Sequence, residues 1–266
     1  MPADTLIAVA SYNRPFDIVK TTGFWLQQLQ IYPWVVCVEP QQKALYAQSL
    51  PAKNLITSSK DCWQCGQLLK IKEYAQANGF KYVLKVDDDS WFTDRQFKKK
   101  EAAQCLETHL PDMVHALETD PRAGAVAFIR VPSLLFNKKN LRFLNRNRYI
   151  SSAYLINVDY WEFPHKIWGF EDVWTSVNVT QHFDKDILIY GRMALNAVME
   201  SNKGGLQSKN GVEGRDALAA NDLTLMQQDY PKLKVWENSK YASIGIDPTM
   251  YAVSKTVKAD DPLNTF

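Results

Sequence analysis

The stretch that decides the fold is Phe80–Phe92, FKYVLKVDDDSWF. Tyr82, Val83, Leu84 and Val86 are β-branched, aromatic or apolar, and a short run of this kind reads as a buried strand. Asp87, Asp88 and Asp89 follow it directly. Three carboxylates so close together repel, and one protonates unless a counter-charge is supplied. A hard divalent cation, which takes carboxylate oxygens as ligands, is the simplest counter-charge. In open α/β sheets, ligands sit outside the carboxyl ends of strands, where this triplet falls. Alternate residues past a strand end can face one space. Asp87 and Asp89 are therefore the candidate pair, with Asp88 turned aside or bonded to backbone. A solvated acidic turn is the alternative for the triplet taken alone.

Working outward, Leu6 to Ala10 reads as a strand that leaves through Ser11-Tyr12-Asn13-Arg14-Pro15. Residues 16–30 space Ile18, Val19, Phe24, Trp25 and Leu29 as a helix does. Val35 to Val38 reads as a strand, 41–49 as a short helix, and Leu55 to Thr57 as a third strand. Residues 66–78 are an amphipathic helix that Gly79 stops. Downstream, 101–119 reads as helix, Ala123 to Val131 and Tyr154 to Val158 as strands, 170–180 as the start of a helix, and Asp186 to Tyr190 as a late strand. Residues 201–216 are rich in Gly, Asn and Ser, without periodicity, and read as a mobile loop; 215–229 return to helix. Alternating strands and helices predict an α/β fold: a mostly parallel sheet flanked by helices, in a single domain over 1–266.

Composition narrows the class. A chain of 266 residues with 46% hydrophobic and 23% charged side chains folds rather than staying disordered, and a net charge of +2 does not by itself indicate a polyanion partner. No apolar run approaches the ~18 residues of a membrane span. The first residues lack the basic and apolar regions of a secretory signal. Four cysteines are too few for a disulfide framework in a chain this size. A reducing cytoplasm is therefore expected, and the Asn178-Val179-Thr180 sequon is expected to stay unmodified. Cys62 and Cys65 have CxxC spacing without a second ligand pair, so zinc is not expected there. His109 and His115 are six apart on a helix and read as surface residues.

Two further constellations carry chemistry. In Trp168-Gly169-Phe170-Glu171-Asp172-Val173-Trp174, two acids stand among aromatics. Apolar walls raise a carboxylate's pKa and make it a usable base; an acidic helix N-terminus is the alternative. From Pro121 to Val158 there is no Asp or Glu, while Arg122, Arg130, Lys138, Lys139, Arg142, Arg146 and Arg148 interleave with Phe136, Phe143 and Tyr149. Cations beside stacking platforms suit a nucleic acid, and Lys98 to Lys100 extend the patch. A solvated basic face balanced by acids elsewhere is the alternative.

IAVASYNRP, VDDD and WGFEDV, in this order over roughly residues 5–180, resemble GT-A glycosyltransferases. The triplet corresponds to their DxD motif, and WGFEDV is similar to the acceptor-side motif of many inverting members. VASYNRP and the absence of a secretion signal resemble, more narrowly, the phage TET-associated glycosyltransferases, proposed to glycosylate 5-hydroxymethylcytosine in DNA. The resemblance implies a Rossmann-like GT-A domain with a nucleotide-sugar half over 1–95 and an acceptor half over 96–266. It implies a UDP-sugar donor, Mn2+ or Mg2+, and DNA as acceptor, in the host cytoplasm if phage-encoded. Ser11, Asn13 and Arg14 would line the nucleotide pocket. Asp87 would approach the ribose beside the metal, and Asp89 would hold the metal. Asp172 would be the base, Glu171 would orient acceptor or donor sugar, and inverting transfer of a hexose would follow. Many such enzymes add a downstream histidine to the metal shell; only His182 lies beyond the Glu-Asp pair, and its position close after it argues against that role. Lys203, between Asn202 and Gly204, would close over the diphosphate; an ordinary surface loop is the alternative. Lys138, Lys139, Arg142, Arg146, Arg148 and Trp168 would meet the acceptor. A polysaccharide or protein acceptor, a non-catalytic nucleotide- or DNA-binding scaffold, and a metal-dependent nuclease are the competing readings.

Overall fold

Ile7 and Val9 face one side of the first strand while Leu6 and Ala8 face the other, and all four are buried. A strand apolar on both faces belongs inside a sheet covered on both sides. The computed structural model of the chain has that architecture; it describes residues 4–60, 62–96, 98–130, 137, 139–146, 150, 152–163, 171–197, 221–231, 235–238, 243–246 and 255–265. Its strands are β1 (Thr5–Ala10), β2 (Trp34–Val38), β3 (Leu55–Thr57), β4 (Tyr82–Asp87), β5 (Ser90–Thr93), β6 (Ala123–Arg130), β7 (Phe143–Arg146), β8 (Ala153–Asn157), β9 (Asp186–Ala197), β10 (Val235–Asn238), β11 (Ser243–Ile246) and β12 (Lys255–Thr256). A ten-stranded sheet has the order β12-β7-β9-β6-β8-β4-β1-β2-β3, with β5 paired to β9; β10 and β11 form a separate hairpin.

The fold is α/β, and the sheet runs mostly one way. β1, β2, β3 and β4 are mutually parallel, and β6 is parallel to β9. β8 is antiparallel to both β4 and β6, so it reverses the run once without changing the direction of its neighbours. The helices are α1 (Thr22–Leu26), α2 (Lys43–Tyr46), α3 (Trp63–Ala77), α4 (Ala102–Thr119), α5 (Glu171–Val177), α6 (221–229) and α7 (Pro262–Thr265). On α3, Cys65, Leu68, Ile71 and Ala75 recur at helical spacing and pack on Leu6, Ala8 and Val83. On α4, Leu106, Leu110 and Met113 pack on the opposite face, against Leu84 and Val86.

The expected helix over 16–30 is broken: a 3-10 turn over Ile18–Lys20 precedes the five-residue α1. Phe16 and Phe24 are exposed, so the apolar spacing there does not mark one buried face. β5 and β7 are additional strands. β9 runs seven residues past the expected end at Tyr190. It does so by bulging, since Phe128 pairs with Tyr190 while the next residue, Ile129, pairs with Ala194. Gly191 permits the bulge: a Cβ there would meet Leu144 Cγ at 2.7 Å and the Leu141 carbonyl oxygen at 2.8 Å. Beyond the bulge, β9 pairs with β5, Ala197 opposite Ser90.

Asn178 is buried, with its amide on the Glu162 carbonyl and its oxygen accepting from Tyr230, so its sequon is closed to a glycan. No described helix is long and apolar enough to cross a membrane.

Candidate active site

β4 ends at Asp87, and Asp88 and Asp89 form the turn into β5. α1 clamps the backbone of that turn. Thr21 Oγ1 donates to the Asp88 carbonyl at 2.8 Å. Thr22 Oγ1 lies 2.7 Å from the Asp87 carbonyl and 2.9 Å from that of Ser90, and accepts from Ser90 N at 2.9 Å. Trp25 Nε1 also donates to the Ser90 carbonyl. These contacts satisfy backbone groups that a buried turn would otherwise leave unpaired.

The three carboxylates part company according to the strand's alternation. Asp88 turns to the face of Val86, where Ser11 Oγ donates to Oδ2 at 2.6 Å and Arg14 Nη1 contacts Oδ1 at 2.5 Å. Its side chain is 7% exposed. Its partners are therefore the side chains of Ser11 and Arg14, and only its carbonyl bonds backward to α1. Burial pushes the Asp88 carboxyl up to about 6; Arg14 and the Ser11 hydroxyl oppose this, and Asp89 adds to it. Arg14 Nη1 also lies 3.2 Å from Asp89 Oδ2. The hairpin of partners is pinned by Tyr46, whose hydroxyl lies 2.6 Å from Ser11 Oγ and accepts from Arg14 N. Asn13 takes a left-handed backbone, φ 57°, and its N–H bonds to Gln42.

Asp87 turns to the other face and meets Lys85, a residue the apolar reading of β4 passed over. Lys85 is fully buried, with Nζ 2.6 Å from Asp87 Oδ1 and 3.0 Å from Glu171 Oε1. Burial works against its charge, but Asp87 and Glu171 outweigh that and hold the ammonium well above its ordinary range. Gln64 Nε2, on α3, donates to the same Glu171 oxygen at 2.7 Å. Glu171, at the start of α5, is thus tied through Lys85 to Asp87 at the end of β4. Asp172 Oδ1 accepts from Val173 N at 2.8 Å, while the Asp172 carbonyl accepts from Ser176. The signal for Lys85 in the sequence was a lone cation inside an apolar strand.

The basic stretch behaves differently from its sequence. Arg146 pairs with Asp120 at 2.6 Å and Asp186 at 2.9 Å, and Arg142 lies 3.4 Å from Asp112. Arg142 and Arg146, expected to meet the acceptor, are thus held in ion pairs with side chains 21% and 19% exposed. The span is free of acids along the chain but not in space. Lys139 and Lys98 to Lys100 are exposed. Lys138, Arg148, Trp168 and Lys203 lie outside the described residues, as does the loop over 201–216. His182 is half exposed and 3.9 Å from Glu162. His109, read as a surface residue, is 12% exposed and bonded to Asp94.

Residues 24–198 match the family described as TET-Associated Glycosyltransferase. No curated protein matches the sequence. Among solved structures, glucosyl-3-phosphoglycerate synthase from Mycobacterium tuberculosis with Mn2+, UDP-glucose and phosphoglyceric acid superposes with a TM-score of 0.55 at 9% identity, covering 94% of this chain and 88% of that one. The same synthase with Mg2+ and UDP gives 0.53 at 8%, covering 92% and 87%. GalNAc-T7 with UDP, GalNAc and Mn2+ gives 0.51 at 8%, covering 73% of this chain and 43% of that one. At such identities the likeness establishes the fold alone, the GT-A arrangement that the ordered motifs implied. The family match extends over more than half of the chain and takes in β4, the aspartate turn and α5. The chain is a glycosyltransferase and belongs to the TET-associated glycosyltransferase family.

Proposed function

We propose that the chain transfers a hexose from a UDP-linked donor to 5-hydroxymethylcytosine in DNA, with inversion and with a divalent metal. The observation that carries the donor side is the charge at the aspartate turn. Among the described residues Asp87 and Glu171 share Lys85, and Asp88 and Asp89 share Arg14, so four carboxylates are set against two cations around one turn. Carboxylate oxygens grouped in this way are a donor set that fits Mg2+ or Mn2+. Asp87 and Asp89, with side chains 30% and 18% exposed, would hold the metal, while Asp88 is closed off by Ser11 and Arg14. Such an ion, when bound, neutralises charge on a leaving diphosphate.

The chain's own groups have definable tasks around it. Arg14 Nε is buried without a hydrogen-bond partner among the described residues, and a diphosphate oxygen would supply the missing acceptor. Lys85 fixes Asp87 and Glu171 relative to each other across β4 and α5, so donor-side and acceptor-side carboxylates move together. Asp172, one residue on, is the proposed base for the acceptor hydroxyl. In this reading residues 1–95 serve the donor and 96–266 the acceptor, within one domain. The family supports a hydroxymethylated base as acceptor, and such a base inside a duplex has to be flipped out to be reached.

The test is mass spectrometry of hydroxymethylcytosine-containing DNA after incubation with UDP-glucose and related nucleotide sugars, with Mn2+, Mg2+ or EDTA. A hexose mass gain that EDTA abolishes is expected. Asp89→Ala and Asp172→Asn should each lower kcat by about 100-fold or more. Full turnover in either variant removes the role given to that residue, and no gain on any DNA removes the acceptor.

A further inference from the structure

At the far end of β5 from the aspartate turn, Asp94, Cys105 and His109 converge. Asp94 directly follows β5. Cys105 and His109 are four residues apart on α4, a spacing that puts two side chains on one helix face. One ligand atom from each lies within 4.8 Å of the others. Asp94 and His109 side chains are 9% and 12% exposed, and Cys105 is fully buried.

The hydrogen bonds around His109 require a positive species at Nε2. Tyr190 Oη donates to Asp112 Oδ2 at 3.0 Å and lies 3.0 Å from His109 Nδ1. A phenol has one proton. With that proton given to Asp112, Nδ1–H is the donor in the second contact. A neutral ring then carries a bare lone pair on Nε2, and Nε2 faces Asp94 Oδ2 at 2.8 Å. Two lone pairs at that separation repel, so either a proton or a metal ion belongs between them. Asp94 is aimed at this point by its other oxygen, Oδ1, which accepts from Gln96 N at 2.6 Å. The neighbouring thiol favours the metal. Sulfur, imidazole and carboxylate are zinc's ligand types. A ligating histidine usually donates its other N–H to a carboxylate-anchored group, as the Tyr190–Asp112 relay provides.

We propose that Asp94 Oδ2, Cys105 Sγ and His109 Nε2 form a tripod for a zinc-type transition-metal ion, oriented by Tyr190 and Asp112. The site is separate from the aspartate triplet and does not depend on the function proposed above. Tetrahedral zinc sets its ligand atoms about 3.3–3.7 Å apart, so Oδ2 and Nε2 would open by about half an ångström. Binding releases the Cys105 thiol proton to solvent, together with the Nε2 proton if the ring was protonated. The ion would staple the end of β5 to α4, and through Tyr190 to β9.

The reduced, metal-stripped full-length protein is titrated with Co2+ alone and followed by absorption. A thiolate-to-cobalt charge-transfer band with tetrahedral d–d absorption is expected, saturating at a single equivalent and displaced by Zn2+; carboxylates alone give neither feature. The band should persist in Asp89→Ala, vanish in Cys105→Ser, and require at least about tenfold more Co2+ in His109→Gln. Cys105→Ala replaces the serine variant if circular dichroism shows that one misfolded. No band in the wild-type protein overturns the proposal. So does a band surviving without the Cys105 sulfur, or unchanged affinity in a folded His109→Gln protein.

Discussion

Replacing Lys85 with methionine keeps its length and removes its charge, and the structure sets the cost. The ammonium is fully buried between Asp87 at 2.6 Å and Glu171 at 3.0 Å. Removing one partner of a buried ion pair costs about 3–5 kcal/mol, because the other charge is left uncompensated. Glu171, 11% exposed, would keep Gln64 as a donor, whereas Asp87 is 30% exposed and regains water. Those two reliefs place the expected loss at the lower end, about 3 kcal/mol. For 266 residues, an unfolding entropy of about 2.1 cal/mol/K per residue gives about 0.56 kcal/mol/K, so Tm falls by about 5 °C. Glu171→Gln added to Lys85→Met removes the stranded charge and should restore part of the loss, with a coupling energy of about 1–3 kcal/mol. Urea unfolding of the four proteins of this cycle, read by tryptophan fluorescence and circular dichroism, measures it. Lys85→Met within about 0.5 kcal/mol of the parent, or coupling indistinguishable from zero, would refute the buried network as a structural link.

Arg146→Met should cost about 2–4 kcal/mol, since it takes from Asp186, whose side chain is 4% exposed, the nearer of two arginine partners and leaves Arg122 at 3.2 Å, and should leave the salt dependence of DNA binding unchanged. A reduced salt slope with unaltered unfolding would return Arg146 to the nucleic-acid surface. Thr22→Val removes the hydroxyl that Ser90 N donates to, and should destabilise by about 1–3 kcal/mol in a denaturant titration; an unchanged midpoint would mean that the clamp on the aspartate turn is dispensable. Gly191→Ala forces a methyl toward Leu144 and the Leu141 carbonyl, and should cost about 1–3 kcal/mol while raising hydrogen exchange in β5. Unaltered exchange at Ser90–Thr93 would separate the bulge from the aspartate turn.

Where a single local signal dominated, the sequence was legible. The apolar strand ahead of the aspartates and the span of α4 agree with the sequence nearly to the residue, and the helix before Gly79 agrees at its end but begins three residues earlier, at Trp63, because burial and periodicity agree there. Gly79 indeed takes a left-handed backbone, φ 75°. What escaped depends on pairing between distant segments. β5 and β7 are short and become strands only because β9 lies beside them. Lys85 looked like an interruption of an apolar run until Glu171, from α5, stood beside it. The acid-free span from Pro121 is balanced by acids elsewhere for the same reason: Arg146 finds Asp120 just before that span and Asp186 well after it. Arg14 and Lys85 meet part of the triplet's charge from within the protein, a contribution that the linear sequence around the triplet does not display.

The bulged β9 also sets a tether. Its last residue, Ala197, pairs with Ser90, immediately after the aspartates. Lys203 is six residues further along the chain. Whatever path the intervening backbone takes, six residues reach at most about 21 Å. One amine confined to a sphere of that radius has an effective concentration of about 40 mM at its centre. That is below the ~150 mM of physiological salt, so the tether alone does not make Lys203 outcompete dissolved cations for an anion, and the length of residues 198–202 sets the local concentration from which any specific contact would have to start.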